Sequence, residues 1–166
     1  QIGAGAFARG RAYQSAQQGE KAEADFQLAL DYTSDPKLRM SLLKTMGWNR
    51  EQNLADDPAA LEAYLAIADS PSNRGGADYF YALQGAARVL TRQQKFDQAL
   101  AILDNVDAES VDGSWRGSLR LSRAEVLAAA GRNEEAASFF RQVADDDRAN
   151  ASQRAEARSM LEKTAQ

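Results

Sequence analysis

The side chains with catalytic potential in this sequence are carboxylates. Glu20, Glu23, Glu125, Glu134 and Glu135 are all available. Two carboxylates held across a cleft are the machinery of glycoside cleavage, one giving a proton and the other acting as base or nucleophile. Nothing in the spacing of these five gathers them around an apolar pocket, so they read as solvated helix-surface acids. A helical enzyme using paired carboxylates, for example a glycan-cleaving one, is the alternative reading. The chain has no histidine and no cysteine. That removes thiol nucleophiles, disulfides, zinc sites of the usual kind and imidazole acid–base chemistry. Asp145-Asp146-Asp147 lacks the alternating spacing of a calcium loop and reads as a solvated helix end. Gly3, Gly5 and Gly10 form no phosphate loop, because no strand precedes them and no Gly-Lys-Ser follows. Asn150-Ala151-Ser152 matches a glycosylation acceptor, which matters only in a eukaryotic secretory route. The expectation is a protein that is not an enzyme, with no cofactor and no metal.

The scaffold that must carry any site is helical. Alanine, leucine, glutamine, arginine and glutamate dominate, while Val and Ile are sparse. With 166 residues, 44% hydrophobic and 27% charged, the chain suits one globular domain with a sizeable core. The net charge of -4 argues against nucleic acid as the main partner. No apolar run reaches the roughly 18 residues needed to span a bilayer.

Helical periodicity predicts segments at 5–18, 21–32, 36–53, 58–69, 77–92, 96–105 and 152–163, plus a pair over 116–143 broken at Gly131-Arg132-Asn133. Gly19 marks a break. Asp35-Pro36 and Asp56-Asp57-Pro58 read as cap-plus-proline helix starts. The stretch 70–76 reads as a loop, and 106–113 as a polar connection. Asp78-Tyr79-Phe80-Tyr81 puts three aromatics in successive positions, so at least one is core and at least one exposed. Trp115, at a helix start, reads as a seal between neighbouring copies of a repeat.

That repeat emerges from small residues. Gly10 and Ala22, Gly47 and Ala60, Ala87 and Ala99, and Ala124 and Ala136 are separated by 12, 13, 12 and 12 positions. The second member of each pair opens the same pattern: Ala22-Phe26-Ala29, Ala60-Tyr64-Ile67, Ala99-Leu103-Val106 and Ala136-Phe140-Val143. The alanines recur every 38, 39 and 37 residues. A helical hairpin cannot bury its apolar face alone, but stacked copies join those faces into one core.

On these residues the chain resembles the tetratricopeptide repeat (TPR) family. Gly10-x-x-Tyr13, Ala87-x-x-Leu90 and Ala124-x-x-Leu127 fit the family's first helix, and the alanine patterns fit its second. The family period is about 34 residues, shorter than here. Arg50 and Arg120 stand where apolar residues belong, and the second copy has one extra residue between its helices. The resemblance implies an all-α fold, an α-α superhelix (right-handed solenoid) of about four hairpins. These would span about 4–34, 36–70, 77–107 and 116–146, with a capping helix at about 150–164, in a single domain.

The resemblance also implies that first helices line a concave wall. The groove positions would be Ala4, Phe7, Arg11 and Gln14; Ser41, Lys44, Trp48 and Glu51; Tyr81, Gln84, Arg88 and Thr91; and Ser118, Leu121, Glu125 and Ala128. Phe7, Arg11, Lys44, Trp48, Tyr81, Gln84 and Arg88 are the candidates for gripping a partner, because aromatic and Arg side chains anchor interfaces. The expected partner is a protein segment, a peptide or helix docked in the groove or at the ends of the array, and self-association is a further expectation. The Lys, Asn and Arg set with which some TPR domains grip a chaperone's C-terminal carboxylate is absent, since Phe7 and Arg11 occupy two of its places. The chain is also similar in length and style to bacterial envelope proteins with one membrane anchor and a TPR-like periplasmic region. A processed precursor, its signal peptide or anchor removed, would explain the start at Gln1, and a trimmed cytoplasmic chain is the expectation set slightly ahead of it.

Overall fold

The computed structural model describes residues 2–71, 74–106 and 112–164. Among them the chain is all-α, with nine helices and no strand. They are α1 (Ile2–Ser15), α2 (Gly19–Asp31), α3 (Pro36–Gln52), α4 (Asp57–Ala68), α5 (Ala77–Arg92), α6 (Phe96–Asp104), α7 (Gly113–Ala129), α8 (Asn133–Ala144) and α9 (Ala151–Thr164). Positions 72 and 73 of the expected loop, and 107–111 of the polar connection, lie outside the described residues.

Local chemistry sets the helix starts. The Asp35 carboxylate accepts the Lys37 N–H at 2.9 Å ahead of Pro36, the first residue of α3. Asp56 accepts the Ala59 N–H at 3.1 Å, so the cap of α4 is Asp56 and the helix opens one residue before Pro58. At α9, Asn150 Oδ1 accepts the Gln153 N–H at 2.9 Å while Gln153 Oε1 accepts the Asn150 N–H at 3.1 Å, a reciprocal capping box. The side chain of the glycosylation-like Asn150 is thus engaged in capping.

The turn inside each hairpin is one turn used four times. A residue of positive φ sits at Gln17 (56°), Ala55 (50°), Gln94 (58°) and Gly131 (75°). Just after it, an N–H reaches back across the helix end: Gln18 to the Tyr13 carbonyl, Lys95 to Leu90 and Arg132 to Leu127, each at 2.9 Å, and Asp56 to Arg50 at 2.8 Å. This left-handed helix stop satisfies carbonyls that the helix end leaves over. The second hairpin reaches one residue further, which absorbs its extra residue. Gly19, expected as the break, is instead buried as the first residue of α2; the chain reverses at Gln17.

The chain divides into two compact units, 1–85 and 86–166, and the division falls inside α5. In the first unit α1 packs on α2, α2 on α3, and α3 on α4. Its core holds Ala6, Ala22, Phe26, Ala29, Leu42 and Met46. A Cβ added to Gly10 would lie 2.6 Å from the Phe26 ring, and one on Gly47 would lie 2.9 Å from the Tyr64 ring. Tyr64 also faces Gly85, where a Cβ would come within 2.7 Å. The small residue of the first helix in these two hairpins therefore admits the large residue of its own second helix. In the second unit α6 packs on α7, α7 on α8, and α8 on α9. Ala124, Leu127, Ala136, Phe140, Val143 and Ala157 form its core. Fully burying a side chain such as Phe140 contributes roughly 1.5–3 kcal/mol.

Arg50 and Arg120, expected as defects in the apolar pattern, are compensated by carboxylates. Arg50 pairs with Glu23 of the preceding hairpin at 2.8 Å and also donates to the Ala59 carbonyl. Beside it, fully buried Asn49 donates to the Gly19 carbonyl at 3.0 Å. Arg120 shares Asp146 with buried Arg116, at 3.2 and 2.9 Å. The acid run at 145–147 is therefore only partly a solvated helix end, because its middle residue is a structural counter-ion.

Candidate partner-binding face

In the first unit the groove candidates come from α1, α3 and α5. On α1, half-buried Phe7 leans on Phe26 with ring centroids 6.1 Å apart. The Arg11 guanidinium lies 6.0 Å from the Phe7 centroid, so the two side chains form one stacked unit with the cation outward. Gln14 ties α1 to α3 by donating to the Thr45 carbonyl at 3.2 Å.

On α3, Lys44 donates to Asp78 of α5 at 2.6 Å. Trp48 follows one turn later and is 43% exposed, a large apolar side chain left open to solvent. Ser41, one turn earlier, lines the same cleft as Lys44. On α5, Phe80 is buried while Tyr79 and Tyr81 are half-exposed. The Tyr81 ring meets Tyr64 edge-on, 5.9 Å between centroids at 72°. Gln84 is half-buried one turn beyond it.

Two of the sixteen expected groove positions belong to the core. Glu51 is 4% exposed and accepts the Tyr64 hydroxyl at 2.7 Å. Leu121 is 7% exposed and packs in the core of the second unit. Glu51 lies in the last turn of α3, where its bond to the Tyr64 hydroxyl of α4 holds it inside. At Leu121 the departure is on the first-helix face itself, where α9 also packs on α7. Ser118 is likewise occupied, accepting Gln153 Nε2 at 2.7 Å, and a Cβ on neighbouring Gly117 would come within 2.7 Å of Gln153 Oε1.

In the second unit, exposed Arg88 and Glu125 interact electrostatically with each other, and Glu125 also with Glu156 of α9. Partial desolvation of the Glu125 carboxyl pushes its pKa up, the nearby Glu156 charge pushes it further, and Arg88 opposes both. Glu23 and Glu135 are held by Arg50 and Arg132.

A half-open cleft of about 720 Å³ lies in the first unit. Its wall includes Ser41 and Lys44, both expected, and Lys37, Arg39 and Asp78, which sequence reasoning passed over. The available signal was the density of cations at the start of α3 in a chain of net charge -4. Their convergence with Asp78 depends on how α5 returns beside α3. No protein-family profile and no curated protein matches the sequence.

Proposed function

We propose that the chain is a non-catalytic, TPR-like scaffold that binds a peptide or helix of a partner protein. In this reading the hairpins α1–α2, α3–α4, α5–α6 and α7–α8 stack as a right-handed α-α superhelix, with α9 as cap. The observation that carries it is the fourfold recurrence of one turn, with positive φ at Gln17, Ala55, Gln94 and Gly131 and a matching backward N–H bond. Four such turns at matching offsets are what a duplicated hairpin leaves behind, and stacked hairpins present an extended binding wall. The wall would be formed by Phe7, Arg11, Lys44, Trp48, Tyr81, Gln84 and Arg88. The mixture of aromatic and cationic side chains suits an acidic or amphipathic segment.

The test is capture of partners by the intact protein, followed by the Tyr81→Ala/Arg88→Ala variant against a captured partner. Binding weakened about tenfold or more would support the groove. Undiminished binding would remove Tyr81 and Arg88 from it, and failure to capture any protein would count against the scaffold. Small-angle scattering checks the superhelix separately, since an elongated curved particle is expected and a spherical one would overturn the stacking.

A further inference from the structure

We infer that the cleft at the start of α3 docks an acidic segment of a partner protein that inserts one apolar side chain. This rests on the scaffold reading and gives its partner a chemistry. Among the described residues of its wall, three cations, Lys37, Arg39 and Lys44, meet one carboxylate, Asp78. The lining is thus cationic in a chain whose net charge is -4. Half-buried Met40 and Leu43 stand between the cations along α3 and offer an apolar surface. A cleft of about 720 Å³ is far larger than a single ion and matches several residues of peptide.

The Lys44–Asp78 pair shows how an acidic segment would be held. Asp78 already supplies a carboxylate to Lys44, at 2.6 Å, with the two side chains 35% and 36% exposed. Exposed pairs of this kind contribute little to the fold. A partner's Asp or Glu can therefore replace Asp78 at small cost, while Lys37 and Arg39, both exposed, meet further acids. Charge complementarity of this sort sets the choice of partner and speeds the encounter.

Fluorescence anisotropy on the full chain tests this with a short labelled peptide in which Asp and Glu alternate with Leu and Phe. Two controls accompany it: one with Lys and Arg in place of the acids, and one with Ser in place of the apolar residues. The acidic apolar peptide should bind saturably, and both controls should bind at least about tenfold more weakly. Lys37→Ala/Arg39→Ala/Lys44→Ala should weaken binding about tenfold or more, and Asp78→Asn should tighten it. Circular dichroism on each variant checks that the helices persist.

Equal binding of the basic peptide, or undiminished binding by the triple variant, would overturn the inference. So would displacement by inorganic phosphate as readily as by unlabelled peptide. A dimer seen by light scattering and abolished in the triple variant would assign the cleft to a second copy of the chain instead. If no acidic peptide binds while a captured partner still depends on Tyr81 and Arg88, the cleft inference fails and the scaffold reading stands.

Discussion

The α3–α4 and α7–α8 hairpins are built on one plan and finished differently. Each closes with a positive-φ turn and sets a small residue of its first helix against a large residue of its second. In α7–α8 the facing residues are apolar, and the first-helix face is occupied: Leu121 is buried and Ser118 is bonded to Gln153. In α3–α4 much of the neighbouring packing is polar, with Asn49, Arg50, Glu23 and the Glu51–Tyr64 pair doing what apolar side chains do elsewhere. Its first-helix face is only partly filled: Glu51 is buried, but Trp48 is exposed and Lys44 lines a cleft. On the proposed scaffold reading, the hairpin with its face filled serves stability, and the one with exposed and charged side chains on that face receives the ligand.

The contrast can be broken most sharply at the core. Phe140→Ala should cost about 3–5 kcal/mol in urea unfolding, because a fully buried ring is lost from a site with no polar substitute. A cost below about 1 kcal/mol would mean that the α7–α8 core is not the rigid member of the pair.

The next largest difference lies between two of the ion-paired arginines, Arg116 and Arg50. The Arg116 side chain is 5% exposed and that of its partner Asp146 is 13% exposed. Arg116→Ala leaves Asp146 partly buried with weaker compensation, at a cost of about 3 kcal/mol. Arg50 and Glu23 are 20% and 24% exposed, so Arg50→Ala should cost about 1 kcal/mol. Equal costs in chemical denaturation would show that burial does not separate the two pairs.

Acid titration sharpens the comparison within the second unit, where two carboxyls shift in opposite senses. At Asp146 burial pushes the pKa up, but the Arg148 N–H and the Arg116 and Arg120 charges outweigh it and hold the group below its usual 3.8. Its stabilisation is present above that unfolded value and is lost as pH falls through the lower folded value. Glu125 sits above its usual 4.5, chiefly through desolvation and then through Glu156. The folded state therefore takes up this proton first. The penalty at neutral pH disappears as pH falls through the raised value toward 4.5. Unfolding measured against pH should show a small gain of stability above pH 4.5 that Glu125→Gln removes, followed by a loss below 3.8. A monotonic decline from neutral pH, unchanged by Glu125→Gln, would refute the opposed shifts.

Helix content and the small-against-large pattern were legible from residue types, because packing periodicity is written into positions such as Ala22, Phe26 and Ala29. The turns were not, since only Gly131 advertises a positive φ, while Gln17, Ala55 and Gln94 adopt it without a glycine. The polar substitutes were also hidden. Arg50 looks like a defect until Glu23, distant in sequence, is placed against it. Lys44 and Trp48 could be named from their helix, but the cleft needs Asp78 from α5 and the cations Lys37 and Arg39 together. Long-range pairings of this kind carry no local signature.

The smallest effects belong to the turns, and they separate the hairpins by the sign of the response. Gln94 holds φ at 58° with a β-carbon, a left-handed conformation costing an L-residue roughly 1–2 kcal/mol. Glycine there removes most of that strain but adds about 0.5–1 kcal/mol of unfolded-chain entropy. Gln94→Gly should therefore stabilise by about 0.5 kcal/mol. Gly131 adopts φ 75° in the equivalent turn, where an added Cβ meets no neighbouring atom. Gly131→Ala should accordingly destabilise by about 0.5 kcal/mol, because the backbone strain outweighs the unfolded-chain entropy that alanine removes, with no clash contributing. Thermal unfolding of the two variants gives the comparison. Opposite signs follow if both hairpins close through one left-handed turn, and a stabilising Gly131→Ala would mean that the turn at 131 is not held in that conformation.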